Sequence, residues 1–187
     1  WRVAGFTDLD AQPRTEQLAG VERLGDDSAV RGRDDLAAAS LILGIGLPGG
    51  ADARRRLVGE HADASWATVV HPAATVAASA ALGEGTVVMA HAAVNPGASV
   101  GRHAIVNTGA IVEHDVVVGD RSHIGPGAVV GGGARVGDDA FVALGALVRD
   151  HVSIGDGATV GMGAVVVADV PAGATVVGVP AREVSRA

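Results

Sequence analysis

The stretch VEHDVVVGDRSHIGPGAVVGG, residues 112–132, repeats a short aliphatic segment and a turn with a period of six residues. The period extends to both sides, because every sixth residue from Val70 to Val166 is Val, Leu or Ile. The fourth residue after each of these, from Ala74 to Ala164, is Ala, Ser, Thr or Val. A period of six is neither helical nor that of a plain strand, and it fits a short strand followed by a turn. Gly and Asn, which often follow the aliphatic residue, tolerate the left-handed backbone of such turns.

Three such units predict one triangular coil, and successive coils would stack as parallel β-ladders with the aliphatic residue inward. Residues 70–166 make a little over five coils, a prism about 25 Å long at the usual strand spacing. This pattern resembles the hexapeptide repeat of the bacterial acyltransferases. The resemblance implies a mainly β fold, a left-handed parallel β-helix.

The composition of the 187-residue chain excludes several kinds of chemistry. It has neither Cys nor Lys, so disulfides, thiolate metal sites, thiol nucleophiles and lysine Schiff bases are excluded. The net charge is −7 with no basic run, which argues against nucleic acid or an anionic membrane as the main partner. No signal peptide opens the chain and no wholly apolar run is long enough to span a bilayer as a helix, so we expect a cytoplasmic protein.

Residues 1–69 lack the repeat and alternate predicted strands with predicted helices, as an α/β lobe does. The run SLILGIG, residues 40–46, predicts a buried parallel strand because it is continuously apolar and bounded by Gly. The other predicted elements are strands at 2–8 and 67–70 and helices at 34–39 and 51–62.

This lobe resembles the nucleotide-sugar-binding lobe, Rossmann-like in its alternation, of one acyltransferase branch. The branch comprises the sialic acid O-acetyltransferases and the UDP-amino-sugar N-acetyltransferases. Two of its motifs are present, as Gly5-Phe6 with Asp8 and Asp10, and as Ile45-Gly46. Its first strand, Gly-rich turn and following helix are absent, on the order of 25 residues. We therefore expect either a fragment or an incomplete sugar site.

The resemblance implies two domains, 1–69 for nucleotide-sugar binding and 70–187 for acyl transfer. It implies that Asp8, Asp10 and Gly46 contact the acceptor, although Asp8 and Asp10 also suit an ordinary solvated turn. The loop LPGG, residues 47–50, precedes a helix and could bind phosphate at the helix N-terminus.

Two histidines of the quoted stretch face outward in this register. His114 lies two residues after Val112, at a turn, and His123 lies five residues after Val118, on an outer face. In the resembled branch, EHD or EHE at this position supplies a general base and the acid that orients it. The resemblance implies that His114 is the base and Asp115 the orienting acid, with Glu113 a less favoured helper. Imidazole suits the task because its pKa lies near neutral pH.

The resemblance also implies the contacts of acetyl-CoA, the co-substrate. The histidine nine residues on, His123, would touch the coenzyme, and Asn107 matches a polar position of the branch that would bind substrate. Backbone near Gly132, Leu144 and Met162 would meet the pantetheine arm, and Arg182 of the closing segment could meet a phosphate. For Asn107, Leu144 and Met162, turn geometry is an alternative explanation. His91, His103 and His151 are interpreted as surface or interface residues, and His71 as the structural start of the prism.

The function implied by the resemblance is direct transfer of an acetyl group from acetyl-CoA to an amine or hydroxyl of a sugar or nucleotide sugar. No metal and no acyl-enzyme are expected, and the resemblance implies a homotrimer. The acceptor and the length of the acyl group stay open. Two alternatives remain: a non-catalytic scaffold or sugar-binding β-helix, and a γ-type carbonic anhydrase with zinc on three histidines. The second is disfavoured because its histidine pair five residues apart is missing.

Overall fold

The computed structural model describes residues 2–8, 17–30, 33–46 and 51–184. The chain forms two compact units, Trp1–Ser40 and Leu41–Ala187. No helix among the described residues is both long enough and apolar enough to cross a membrane.

The first unit contains a three-stranded sheet of order β1-β3-β2. Strand β1 (Phe6–Thr7) is parallel to β3 (Val21–Gly25), and β2 (Gln17–Leu18) is antiparallel to it. Two 3₁₀ turns follow, at Asp27–Val30 and Asp34–Leu36. The second lies within the short helix predicted at 34–39 and is shorter than that prediction. The β2–β3 hairpin was not predicted, because its two-residue turn, Ala19-Gly20 with φ of 50° and 80°, lacks the usual Asn or Asp.

The prediction of a buried strand at 40–46 is wrong. Leu41 alone forms a bridge, parallel to Trp66, and Ile42 and Ile45 are 43% and 37% exposed. Among the described residues, backbone hydrogen bonds reach Leu41 from one side only, through Ser65 and Ala67, and Gly44 and Gly46 weaken any extension of the strand. An apolar run predicts burial, but burial also requires neighbours on both sides.

Helix α1 (Ala51–Glu60) confirms the helix predicted at 51–62. It belongs to the second unit, where its residues Arg54 and Leu57, one turn apart, are buried. The guanidinium of Arg54 donates to the carbonyl oxygens of Ile45 and His103.

The rest of the second unit is a parallel β-helix of two-residue strands, which confirms the predicted fold class. Face A carries β4 (Val69–Val70), β7 (Val87–Val88), β10 (Ile105–Val106), β13 (His123–Ile124), β16 (Phe141–Val142), β19 (Thr159–Val160) and β21 (Thr175–Val177), with β22 (Arg182–Glu183) antiparallel at its end. Face B carries β5 (Thr75–Val76), β8 (Ala93–Val94), β11 (Ile111–Val112), β14 (Val129–Val130), β17 (Leu147–Val148) and β20 (Val165–Val166). Face C carries β6 (Ala81–Leu82), β9 (Ser99–Val100), β12 (Val117–Val118), β15 (Arg135–Val136) and β18 (Ser153–Ile154).

The register of the ladders is the predicted one. Val112 pairs with Val94 on one side and Val130 on the other, one coil away in each direction. From β7 to β20 the second residue of each strand is buried, and Val106, Val112 and Val130 are fully buried. β-Branched side chains suit strands, and Ala fills the corners where only a small residue fits. The core is therefore one continuous column of aliphatic side chains.

Candidate active site

The candidate active site lies at the corner between faces B and C, where residues 113–116 join β11 to β12. The backbone turns with Asp115 at φ 59°, and the Asp115 N–H donates to the carbonyl of Pro96 in the preceding coil at 3.1 Å. Because Val112 points inward, the side chains of His114 and Asp115 project outward and are 62% and 72% exposed. The predicted outward position of His114 is confirmed.

The imidazole of His114 and the carboxylate of Asp115 form a hydrogen-bonded pair, with Nδ1 2.9 Å from Oδ2. An ionised carboxylate can only accept, so Nδ1 carries the proton and Nε2 has a free lone pair. The hydrogen bond that Nδ1 donates to Asp115 raises the pKa of His114, and the charges of Asp115 and Glu113 add to the rise. Glu113 also accepts the His114 backbone N–H at 3.3 Å.

Two glycines make room for this pair. A Cβ at Gly132, one coil above His114, would lie 2.6 Å from Nε2, and a Cβ at Gly97, one coil below Asp115, would overlap its Oδ1. The predicted stacking of Gly132 over His114 is thus confirmed. Gly97 was not predicted, although stepping back one coil from Asp115 identifies it.

The N–H of Gly132 is a candidate group for binding substrate. Gly132 is buried, and among the described residues no acceptor takes its N–H. At another corner, the matching amides of Arg102, Asp120 and Asp138 each donate to an Asp carboxylate one coil on. Buried N–H groups without a partner are rare, so a free donor beside Nε2 fits a ligand with an acceptor oxygen.

His123 and Asn107 form a second pair, on face A and its corner with face B. His123 is 6% exposed and lies against the ring of Phe141. The Oδ1 of Asn107 accepts the Thr108 N–H at 2.7 Å, which turns its Nδ2 toward His123 Nε2 at 2.9 Å. Burial first, then the charge of Arg54, lowers the pKa of His123 to about 4. His123 is therefore a neutral hydrogen-bonding group near pH 7, and its contact with acetyl-CoA stays a prediction.

The predicted coenzyme residues Leu144 and Met162 lie in one column at the corner between faces A and B. Gly145 and Gly163 donate to the carbonyls of Pro126 and Leu144 at 2.9 Å, so the column is confirmed. The side chains of Leu144 and Met162 are 54% and 76% exposed, which leaves an apolar surface for a ligand. The coenzyme role of these residues stays a prediction.

The predicted acceptor residues are distant from the dyad in sequence. Asp8 is exposed, extends the sheet of the first unit through its N–H to Gly25, and accepts from Arg23 at its carbonyl. Gly46 is exposed in the second unit. Asp10 and the loop 47–50 lie outside the described residues. Arg182 is exposed and donates to the neighbouring carbonyl of Ala181.

The interpretation of His103 as a surface residue is wrong, since it is 2% exposed. The Trp66 ring packs edge-on against its imidazole with centroids 4.7 Å apart. Burial lowers the pKa of His103, and the nearby charge of Arg102 lowers it further. The repeat shows that His103 faces outward, but not that Trp66 and α1 cover its corner.

No group of three or more His, Cys, Asp or Glu side chains in the described part of the chain is arranged to hold a metal ion.

Comparisons with known proteins identify the family to which the chain belongs. The family model "Bacterial transferase hexapeptide (six repeats)" matches residues 97–132, which include the dyad and both glycines. A mutant of perosamine N-acetyltransferase from Caulobacter crescentus, solved with CoA and GDP-perosamine, is 37% identical with a TM-score of 0.86. The match covers 92% of this chain and 81% of that chain. The chain belongs to the hexapeptide-repeat sugar acetyltransferases.

Two further solved structures are similar to this hexapeptide-repeat acetyltransferase. The acetyltransferase domain of PglB from Neisseria gonorrhoeae, solved with acetyl coenzyme A, is 34% identical, with a TM-score of 0.86 over 96% of this chain and 85% of that chain. WeeI from Acinetobacter baumannii is 27% identical, with a TM-score of 0.76 over 96% and 85%. A comparison with curated protein sequences gave no match.

Proposed function

We propose that this hexapeptide-repeat acetyltransferase transfers an acetyl group from acetyl-CoA to the amine of a nucleotide-linked amino sugar, with His114 as general base. The observation that carries the proposal is the His114–Asp115 pair, in which Nδ1 is bonded to the carboxylate and Nε2 lies close to Gly132. The similarity to an N-acetyltransferase solved with CoA and GDP-perosamine supports the acceptor class. The proposal therefore includes two choices: a nucleotide-linked sugar as the acceptor, and its amine rather than a hydroxyl as the attacking group.

His114 supplies the proton transfers of this reaction. The amine nitrogen attacks the thioester carbonyl carbon, a C–N bond forms, and Nε2 takes the N–H proton. The C–S bond then breaks, and Nε2 returns the proton to the departing thiolate, so no acyl-enzyme forms. Asp115 holds the proton on Nδ1 and stabilises the imidazolium, as the acid of a catalytic triad does.

The N–H of Gly132 would stabilise the negative charge that develops on the thioester oxygen. A free backbone donor beside the base costs no reorganisation during the reaction, and removing such a donor elsewhere costs about 10²–10³ in kcat. Leu144 and Met162 would hold the pantetheine arm through their exposed apolar side chains. Asn107 and His123 would contact the substrates with neutral hydrogen-bonding groups.

The proposed assembly is a homotrimer, with the coenzyme lying in the groove between two subunits. Large apolar side chains exposed on one chain, Leu144, Leu147 and Met162, support an interface along face B.

Asp8, Asp10 and Gly46 would bind the acceptor in the segment 1–69, and transfer itself would occupy 70–187. The cysteine-free composition fits a reducing cytoplasm, which is where we place the reaction.

The test is CoA release from acetyl-CoA, followed with a thiol reagent against a panel of nucleotide-linked amino sugars and sialic acids. The protein has no thiol, so it adds no background. His114→Ala should lose about 10²-fold or more of the rate, and His61→Ala, a control outside the site, should lose none. Release that is unaffected by His114→Ala would refute the role of His114. A wild-type chain that binds no acetyl-CoA would refute acyl transfer.

A further inference from the structure

The peptide between Gly132 and Gly133 is held by two histidines, one from each neighbouring coil. The N–H of Gly133 donates to the carbonyl of His114 at 2.9 Å, and the carbonyl of Gly132 accepts the N–H of His151 at 3.0 Å. His114 and His151 are therefore the neighbours below and above the same glycine pair. The proposed function uses His114 and leaves His151 without a role.

The imidazole of His151 points back toward the coil of Gly133. His151 has φ 58°, and a Cβ at Gly133 would lie 2.5 Å from its Nδ1. Asp115, with a similar φ of 59°, folds back over Gly97 in the same way and at the same corner. A side chain at this corner position thus lies along the prism axis over the preceding coil. Since consecutive Cα atoms are about 3.8 Å apart, the rings of His114 and His151 flank one short segment of backbone.

The His151 ring is exposed and open to a ligand. Within the described residues it makes no hydrogen bond, ion pair or ring contact, whereas Asp115 bonds His114 and His103 packs on Trp66. The corner thus presents three groups around Gly132: the Nε2 of His114, the free N–H of Gly132 and the unpartnered ring of His151. A ligand that accepts from Gly132 and extends one coil further would pass that ring.

We propose that His151 binds the acyl donor, through a hydrogen bond to an amide group of the pantetheine arm. This rests on the proposed function. His151 lies at the corner of the dyad, between faces B and C, and seven residues after Leu144, which lies across face B at the corner with face A. Along the prism axis, His151 lies on the side of the dyad toward Met162, which is the direction in which the arm is placed. Neutral imidazole both donates and accepts, so it can pair with either half of an amide. The acceptor amine then approaches His114 from the opposite side.

The experiment measures CoA binding by titration calorimetry in the absence of acceptor, together with the Michaelis constants of both substrates. His151→Gly removes the ring, and Gly adopts the positive φ without strain. His91→Gly is the matched control, because His91 is also exposed, has φ 60° and donates its N–H to the preceding coil, to Ala73 at 3.1 Å. His151→Asn tests rescue, since Asn tolerates this φ and keeps a donor and an acceptor.

The expected result is a weakening of CoA binding by about three- to tenfold in His151→Gly, the worth of one neutral hydrogen bond. The KM for acetyl-CoA should rise in parallel, the KM for the acceptor and kcat should change little, and His151→Asn should recover part of the loss. An unchanged Kd for CoA, or equal effects in His91→Gly, would overturn the assignment.

Two other outcomes also overturn it and identify what His151 does instead. A rise in the KM of the acceptor alone would place His151 on the acceptor side. A change of oligomeric state in His151→Gly, measured by sedimentation, would make it an interface residue. A wild-type protein that binds no CoA would overturn the proposed function as well, and is distinguishable because the first titration shows it.

Discussion

At the scale of single residues, the proposed general base depends on the corner between faces B and C. There Asp115 Oδ2 pairs with Nδ1 of His114, and Nε2 is the atom that would take the proton. Asp115 occupies a left-handed backbone position that Asp tolerates better than most residues, and this turns its carboxylate toward His114. The carboxylate fixes the proton on Nδ1 and raises the pKa of His114. The same contact therefore makes the imidazole a stronger base and leaves the lone pair on Nε2.

Replacing Asp115 with Asn should lower both the rate and the pKa of the base. General-base catalysis requires neutral His114, so kcat/KM rises with pH through the pKa of that residue. Asn removes the charge that raises this pKa, so the rising limb should move to lower pH while the plateau falls about 10²-fold. A pH–rate profile from pH 5 to 9 measures both. If the rising limb of the profile stays at the same pH in the variant, a group other than His114 titrates.

Adding one carbon at Gly132 should impair catalysis with little effect on folding. Its φ is not in the left-handed region, so Ala introduces no backbone strain, but the new Cβ would lie 2.6 Å from Nε2 of His114. The imidazole must move, and a displacement of about 1 Å can cost about 10²-fold in rate. The comparison is Gly59→Ala in α1, where a Cβ meets nothing within 4 Å. Equal kcat values in the two variants would contradict the steric argument.

His123 should make the stability of the protein depend on pH. Its pKa is about 4 in the folded chain and near 6.5 when unfolded, so the unfolded state binds more protons between these values. Stability is complete above about pH 6.5 and falls as the pH drops toward 4, by at most roughly 3 kcal/mol. His103 acts in the same direction, since burial lowers its pKa too.

Urea unfolding at pH 5 and pH 7 measures this dependence on pH. His123→Gln should show a smaller difference between the two pH values than the wild-type protein. The same difference in both proteins would show that the buried imidazole of His123 contributes nothing to it.

At the scale of elements, α1 is attached to the corner between faces C and A by the carboxylate of Asp139, in addition to the bond from Arg54 to the carbonyl of His103. Asp139 accepts from Arg55 of α1 at 3.0 Å and from Arg121 of the prism, also at 3.0 Å. Burial alone raises the pKa of Asp139, but the hydrogen bonds from Arg121 and Arg55 outweigh it and hold the pKa below its ordinary value. The carboxylate is 7% exposed, so its two partners replace water almost completely.

Asp139→Asn should destabilise the folded protein by about 1.5–3 kcal/mol, the range for hydrogen bonds to charged groups. Asn keeps the positive φ at this position, so the loss reports the charge. Denaturant unfolding measures the change, and hydrogen exchange should show α1 opening more easily. The control is Glu60→Gln, because the exposed Arg56–Glu60 pair at i,i+4 should matter by only about 0.3–0.5 kcal/mol. Equal losses would contradict this account.

At the scale of the whole molecule, the stability of the prism depends on a core that every coil continues. The buried aliphatic residues from Val88 to Val176 form one cluster within the second unit. The two-residue strands are too short to be stable singly, and each is hydrogen-bonded to a strand of a neighbouring coil, on both sides in the interior of the prism. Cooperative folding of Leu41–Ala187 follows, because no coil can bury its aliphatic residues alone.

The segment 41–187 expressed by itself should therefore fold and bind CoA, while losing selectivity for the acceptor. Its core lies within its own sequence, whereas the proposed acceptor residues Asp8 and Asp10 belong to the first unit. Circular dichroism tests whether the segment folds, and calorimetry tests whether it binds CoA. The KM of the best acceptor tests whether selectivity is lost. An unchanged acceptor KM would move the sugar site into the second unit, and loss of CoA binding would contradict the assignment of that site to the prism.

The sequence by itself determined the prism, its register and the outward direction of His114. A strict period of six admits one alternation of inward and outward side chains, so Gly132 could be placed over His114 by counting three repeats along the chain. The same count, three repeats back from Asp115, identifies Gly97. Local pattern is sufficient here because each coil contacts only its neighbours.

The tertiary structure alone decided what covers the outside of the prism and which groups it leaves without partners. His103 and His151 occupy equivalent places in the repeat, yet one is buried beneath Trp66 and the other is exposed beside Gly133. The strand predicted at 40–46 failed for a related reason, because pairing requires neighbours that no local pattern specifies. Periodicity fixes which way a side chain points, whereas its burial, pKa and hydrogen bonds depend on segments distant in sequence that fold against it.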